Sequence, residues 1–265
     1  MSEAIVRNPE ACKAPMNVLI TGAASRLGRA AAEALEPDHR LRLLDEALDS
    51  ETRKVCVDAE LVEGSILDAE TAQKATCGMD AVIHTGEPPA DLTDDELERE
   101  THLLDLATRG TYTLFTAAVE AGVHRLIYVS TLAMFGAYPD DVYVTENFRP
   151  LPTTDMGQMG PYLGEQVSRE FARENLVTVT VLRLGKLVLE EEVIGLEPDP
   201  MWLDLRDAAG ALRLALAREA GQAVRWTRRF GVYHISAAIR NPKFLMLRQK
   251  GPGYEPKHNF QENWG

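Results

Sequence analysis

The sequence predicts an α/β fold, a doubly wound parallel sheet with a small C-terminal lobe. That class rests on three features. The stretch Val18-Leu-Ile-Thr-Gly-Ala-Ala-Ser-Arg-Leu-Gly28 reads as a buried strand, a small-residue turn and a helix opening near Ser25. Short aliphatic and β-branched runs at 40–45, 80–86, 125–131 and 178–184 alternate with segments of helical period. The run Arg40-Leu-Arg-Leu-Leu-Asp45 ends in an acid about 20 residues beyond the glycine turn.

Each element has its own signal. Val18, Leu19 and Ile20 suit a strand covered on both faces. Gly22 permits a sharp turn and close approach of a ligand, and Gly28 permits close helix–strand packing. Residues 46–53 read as a polar connection. Residues 54–57 and 60–63 are two candidate pieces of a third strand, and Ala69–Thr76 is a predicted helix. The run 80–86 is a fourth strand ending at Gly86, and 87–93 is a Pro-containing loop. Thr93-Asp-Asp-Glu96 offers a capping box. Residues 94–121 follow a helical period with a kink expected near Gly110 and a stop at Gly122. After the strand at 125–131 comes a long loop, 132–161, then a helix over 162–174 with Tyr162 at its opening. A strand at 178–184, a linker at 190–200, a helix at 205–219 and a late strand at 231–236 complete the pattern. Residues 1–15 read as a flexible leader, 16–186 as a dinucleotide-binding domain, and 187–265 as a small substrate lobe interleaved with it.

Composition narrows the function classes. The 265 residues are 45% hydrophobic and carry a net charge of −13. The chain can bury a full core, and its negative field repels nucleic acid and anionic membranes. An acidic substrate would need a local basic pocket. The three cysteines, Cys12, Cys56 and Cys77, have no zinc or CxxC spacing, so no metal site is expected and a reducing, cytoplasmic setting is. No apolar run approaches membrane-spanning length, and the start lacks the layout of a secretion signal.

In sheets of this class ligands bind beyond the carboxyl ends of the strands. That edge collects Gly22, Asp45, Thr85, Gly86, Ser130, Thr131 and the stretch from Arg183 to Lys186. The glycine turn and the N-terminus of its helix suit a pyrophosphate, although an ordinary strand–loop–helix connection has the same outline. Asp45 stands where an acid would bind the adenosine ribose hydroxyls and repel a 2′-phosphate, which favours NAD over NADP. A solubilising strand-end acid is the alternative. His84, inside a strand pattern, reads either as a core histidine or as an acid/base group, and Glu165 is a second acid/base candidate. Arg183 and Arg240 are carboxylate clamps or, respectively, a structural ion pair and a solvated charge. Lys186 is either a cation near the ligand or a surface residue. A serine-hydrolase role for Ser130 lacks a nucleophile elbow and a partner histidine.

Taken together, the chain resembles the extended short-chain dehydrogenase/reductases of the NAD-dependent epimerase/dehydratase type, with a Rossmann-type fold. The matching pieces are Thr21-Gly-Ala-Ala-Ser-Arg-Leu-Gly28, Asp45, Asp80-Ala-Val-Ile-His84, Gly110-Thr111 and Ala117-Ala-Val-Glu-Ala-Gly-Val123. Further on come Tyr128-Val-Ser-Thr131 with Gly136, Pro161-Tyr162 and Leu182-Arg-Leu-Gly185. Trp202-Leu-Asp204 and Gly253-Tyr-Glu-Pro256 are most similar to uronate dehydrogenases, which oxidise a sugar acid at C1 with NAD. The resemblance implies NAD as cofactor, contacted by Gly22, Ser25, Arg26, Leu27, Gly28, Asp45, Ser65, Ile66, Thr85, Gly86, Val129, Tyr162, Gln166 and Leu184. It implies catalysis by Thr131, Tyr162 and Gln166, with Thr131 binding the reacting oxygen and Tyr162 exchanging its proton. Substrate contacts fall to Thr131, Arg183, Lys186 and Arg240. It also implies a homodimer packed through the helices at 94–121 and 162–174.

The chain departs from the family pattern. Where the family has Tyr-x-x-x-Lys, this sequence has Tyr162-Leu-Gly-Glu-Gln166. Gln166 can donate a hydrogen bond to the ribose but brings no charge to lower the phenol pKa, and each pKa unit withheld is worth about 1.4 kcal/mol. Oxidation, which needs a base, should suffer more than reduction. Ser25 replaces the middle glycine, Ser65 the frequent aspartate of the adenine-side turn, and Ala107 an asparagine that helps position the lysine. Three readings follow: an NAD(H)-dependent oxidoreductase on a sugar, sugar acid or similar carbonyl or alcohol; a catalytically impaired NAD-binding sensor or scaffold; or an NAD-retaining epimerase or dehydratase.

Overall fold

The computed structural model describes residues 14–86, 93–218, 226–239, 242–247 and 253–264. Residues 1–13 of the expected leader, Arg240 and most of the loop at 87–93 lie outside the described residues. Seven strands form one parallel sheet: β1 (Asn17–Thr21), β2 (Arg40–Asp45), β3 (Glu60–Glu63), β4 (Ala81–His84), β5 (Arg125–Thr131), β6 (Thr178–Leu184) and β9 (Phe230–Ile235). Their order is β3-β2-β1-β4-β5-β6-β9. The chain walks outward from β1 in one direction, returns to β4 and walks out in the other. The reversal opens a crevice at the carboxyl ends of β1 and β4.

Alternation along the strands feeds two cores. Val18, Ile20, Leu43 and Val129 face α1 (Arg26–Leu35) and α7 (Leu205–Leu216). Leu19, Leu44, Val82 and Tyr128 face α3 (Ala69–Thr76), α5 (Thr111–Glu120) and α6 (Met156–Glu174). β6 is buried along its whole length, as expected of a strand covered on both faces.

Several elements differ from the sequence reading, each for a local reason. Ser50–Val55 is a short helix, α2, where a polar connection and a strand piece were expected. The Asp49 carboxylate accepts the Thr52 N–H at 2.7 Å and fixes its start. Helix α4 (Glu96–Asp105) is capped by Asp95, which accepts the Glu98 N–H, rather than by Thr93. The expected kink is a π-turn over Leu106–Gly110, where Gly110 lets Ile66 come close enough to exclude a Cβ. The loop after β5 is shorter than expected: Leu132–Phe135 forms a 3-10 turn, and α6 begins at Met156, not Tyr162. Asp155 accepts the Gly157 N–H at 2.9 Å and caps that helix, so Pro161 sits inside it and forfeits one backbone bond.

The C-terminal part completes the sheet with β9 and also builds a small lobe. β7 (Lys186–Val188) and β8 (Trp202–Asp204) form a two-stranded parallel sheet that is absent from the sequence reading. Val188, Val193, Trp202, Ala237 and Phe260 make its core. A second small cluster joins Leu132, Met134, Phe135 and Val144 to Phe244. A short helix α8 (Trp226–Arg229) leads into β9, and α9 (Gln261–Trp264) packs on the small lobe, where the Asn263 amide donates to the Val193 and Leu196 carbonyls.

A buried ion pair sets α6 against the sheet. Arg183 of β6 donates through Nε and Nη2 to the two carboxylate oxygens of Glu165, at 2.8 and 2.7 Å, and its guanidinium lies 5.1 Å from the Phe135 ring centroid. The two side chains are 6% and 3% exposed, so removing one partner strands a charge in the core. Glu165→Leu should lower stability in urea by about 3–5 kcal/mol, and Glu165→Leu combined with Arg183→Met should regain most of it. A loss under about 1 kcal/mol for the single variant would show that the pair does not anchor the helix.

Candidate active site

A cavity of about 360 Å³ occupies the crevice at the carboxyl edge of the sheet. Its floor is built by the ends of β1, β4 and β5: Thr21, Gly22, His84, Thr85, Gly86 and residues 128–131. Asp45, Glu46 and Ile66 border one end. Helix α6 borders the other with Met156, Gly157, Gly160 and Pro161, alongside Leu184, Gly185 and Leu187.

The glycine turn is built as its residue types require. Gly22 adopts φ +66°, and a Cβ at Gly28 would collide with the Gly22 carbonyl, so the helix starts tight against the strand end. Ser25 closes the turn by donating to the Gly22 carbonyl at 2.7 Å and accepting the Gly28 N–H at 2.9 Å. Leu27 is buried behind it. Asp45 reaches across from β2, accepting the Ala24 N–H and the Glu46 N–H, each at 2.8 Å. Burial pushes the Asp45 carboxyl above its ordinary range, and these backbone donors oppose that shift.

At the opposite end stand hydroxyls. Thr131 accepts the Ala133 N–H at 3.0 Å. Ser130 is buried, and its hydroxyl has no hydrogen-bond partner among the described residues although it borders the cavity. A buried hydroxyl without a partner costs stability unless a ligand or water completes it.

Of the residues singled out from sequence, Gly22, Asp45, Ile66, Thr85, Gly86, Val129, Thr131 and Leu184 border the cavity. Others are placed elsewhere. The Ser65 hydroxyl accepts the Leu67 N–H within its own turn. Arg26 points to the C-terminal lobe, where it grips both oxygens of Glu192 at 2.8 Å. Lys186 is exposed, with its ammonium 3.7 Å from Asp199, and is not among the residues that border the cavity. Arg183 is the structural ion pair of the two alternatives and not a substrate clamp, because Glu165 occupies its carboxylate-binding fork. Glu165 is thereby spent as an acid or base. His84 borders the cavity, but its ring nitrogens face the hydroxyls of Thr21 at 2.8 Å and Thr111 at 3.2 Å.

Tyr162 and Gln166 do not line the cavity. Tyr162 packs against the cluster containing Leu132 and Phe135, and the Gln166 amide donates to the Tyr162 carbonyl at 3.4 Å. The reason is rotational. Successive helical residues turn by about 100°, so Tyr162 lies about 140° and Gln166 about 180° round α6 from Gly157. A helix that opens at Tyr162, as the sequence predicts, leaves out the cavity residues of the preceding turn. Thr154-Asp155 ahead of that turn is the capping signal that marks it.

The strand order and the glycine turn at its switch point define an open, doubly wound dinucleotide-binding fold. The chain belongs to the NAD dependent epimerase/dehydratase family, whose pattern matches residues 18–194. Among its relatives is an NAD-dependent glucose-6-phosphate dehydrogenase of Haloferax volcanii, 28% identical over 92% of this chain and 94% of that protein. A uronate dehydrogenase of Pseudomonas syringae pv. tomato is 27% identical over 76% and 70%. The same fold occurs in a uronate dehydrogenase from Agrobacterium tumefaciens complexed with NAD, with a TM-score of 0.74 at 21% identity over 94% of this chain and 87% of that one. No helix among the described residues is long and apolar enough to cross a membrane.

Burial pushes the His84 imidazole down to about 4, so it is neutral in the folded chain at pH 7. The unfolded chain protonates near the ordinary value of 6.5. The stability this group contributes is complete above pH 6.5 and is lost as the pH falls towards 4. Between pH 7 and pH 5 the wild type should lose about 2 kcal/mol more in urea unfolding than His84→Asn does. Parallel pH dependences for the two would refute this.

Proposed function

We propose that the chain is an NAD(H)-dependent oxidoreductase of the extended short-chain class, acting on a small sugar, sugar acid or similar carbonyl or alcohol. One observation carries the reading: a single cavity joins the Asp45 carboxylate, the glycine turn and the Ser130 and Thr131 hydroxyls. The residues present fit the cofactor. The space a Cβ at Gly28 would fill is where helix and turn close together, and the unpartnered Ser130 hydroxyl awaits an oxygen or amide. Gly22 and the N-terminus of α1 would hold the pyrophosphate, Asp45 the adenosine ribose, and Thr85, Gly86, Val129 and Leu184 the nicotinamide half. Asp45 and Glu46 together would repel a 2′-phosphate.

When bound, the cofactor supplies a hydride acceptor or donor. The chain's own contribution at the far end is hydrogen bonding: Ser130 and Thr131 orient and polarise the substrate oxygen. Neutral hydroxyls can stabilise an oxygen that gains negative charge, but they cannot remove a proton from an alcohol at neutral pH. The favoured direction is therefore reduction of a carbonyl. The substrate class follows the relatives named for glucose 6-phosphate, uronate and L-arabinose. A homodimer through α4, α5 and α6 would cover Leu97 and Tyr112, which are 75% and 59% exposed. The free thiols of Cys56 and Cys77 suit the reducing cytoplasm.

A second reading, a dinucleotide-binding sensor, is favoured by one fact: Tyr162 and Gln166 stand off the cavity wall. Calorimetry and a nicotinamide-absorbance assay separate the two. NADH should bind at least about tenfold more tightly than NADPH, with the gap closing in Asp45→Asn, since one like-charge contact is worth about 1.4 kcal/mol. NADH should be consumed with some member of a panel of aldoses, uronates and ketones. Binding without any consumption would favour the sensor, and no binding of either nucleotide would end both readings.

A further inference from the structure

Helix α6 presents one face to the reactive end of the cavity, and its composition is chemically bare. Met156, Gly157, Gly160 and Pro161 line the wall, and none of them titrates. Positions four apart share a helix face, so two pairs look into the cavity, Met156 with Gly160 and Gly157 with Pro161; the Ala107 methyl stands 3.3 Å from where a Cβ at Gly160 would be, whereas Gly157 faces open space beyond the Asp155 carboxylate. The rotation of α6 is not free to bring another pair round. Glu165 is clamped by Arg183 with both oxygens, and the Tyr128 ring rests on Gly164 where any Cβ would collide with it. Turning the helix by about 140° to present Tyr162 would break both contacts and bury a charged carboxylate unpaired.

The consequence at this end is a site of hydroxyls whose neighbouring imidazole, His84, is already engaged by the Thr21 and Thr111 hydroxyls. Tyr128 also borders it, but burial and the neighbouring Glu165 carboxylate push its phenol up, so it stays protonated. A Cβ at Gly157 would meet only the Asp155 carboxylate, at 2.9 Å, which is the movable end of a cap; space for a side chain is therefore present and unused. Pro161 has no N–H and no donor of any kind to offer a ribose.

Resting on the dinucleotide reading above, we propose that Gly157 and Pro161 are the residues that determine the chemistry of this site. They face the nicotinamide end and leave it open and uncharged, and the ligand oxygen is held there by the Ser130 hydroxyl. The slot beside Gly157 takes a neutral carbonyl ligand, and its bulk fills the space a larger side chain would occupy. Tyr162 belongs to the packing of the small cluster outside the cavity, and the Gln166 amide turns back to the Tyr162 carbonyl.

Thiol protection tests the placement without any turnover. Single variants Gly157→Cys and Tyr162→Cys are made in full-length protein carrying Cys77→Ser, and each is labelled with a maleimide with and without saturating NADH. Peptide masses report the site. NADH should slow labelling in Gly157→Cys at least about tenfold and leave Tyr162→Cys within about twofold. Protection in Tyr162→Cys, or in neither variant although calorimetry shows NADH bound, overturns the proposal. Failure of NADH to bind the wild type instead removes the dinucleotide reading itself.

A gain of function supplies the second arm. Gly157→Tyr with Pro161→Lys places a phenol and an ammonium on the cavity face and replaces a proline inside a helix by a good helix former. With NADH affinity and thermal melting retained, the double variant should raise NAD-linked alcohol oxidation at least about tenfold over wild type, a lower bound on what a positioned general base contributes. Ser130→Ala should lower carbonyl reduction by about tenfold or more, the cost of one hydrogen bond to a developing oxyanion. A folded, NADH-binding double variant with no gain overturns the proposal.

Discussion

The salt bridge between Glu165 and Arg183 decides how the site is composed. It is buried, bidentate and roofed by Phe135, and it joins a helix to the strand beside the cavity. A buried pair of this kind adds little net stability compared with an apolar contact, but it is unforgiving of misalignment. With Tyr128 lying against Gly164, it locks the rotation of α6. That rotation selects which residues meet a ligand: a glycine and a proline inward, a tyrosine and a glutamine away.

The cavity is polarised along its length. Two carboxylates stand at the Asp45 end, and the Ser130 end is lined by hydroxyls and apolar residues without a charged side chain. The glycine turn lies between, with the amino end of α1 aimed where an anion would rest. A ligand matched to this pattern has hydroxyls at one end, a phosphate group in the middle and a neutral ring at the other. An adenine dinucleotide has that order. The charge of Arg26 is held outside by Glu192, so the middle of the site relies on backbone donors.

Much of the fold was legible in the sequence because its signals are local. The strand–turn–helix at 18–28, the acid closing β2 and the aliphatic run of β6 each satisfy a backbone requirement within a few residues, and all fall where expected. The start of α6 was hidden because Gly157, Gly160 and Pro161 are poor helix formers, and only the Asp155 cap announces the helix. A shift of about one and a half turns in that start changed the face presented to the cavity, and with it the expected roles of Tyr162 and Gln166. The partner of Arg183 is equally illegible from spacing, since Glu165 meets it only when helix and strand are packed. β7 and β8, three residues each, carry too short a pattern to register.

The most direct measurement is a crystal structure of the protein with NADH. The reactive face of the nicotinamide ring should lie between the Ser130 hydroxyl and the Gly157–Pro161 face of α6, with the Glu165–Arg183 bridge intact. A complex with the Tyr162 phenol in hydrogen-bond reach of the ring and Gln166 on its ribose would contradict it.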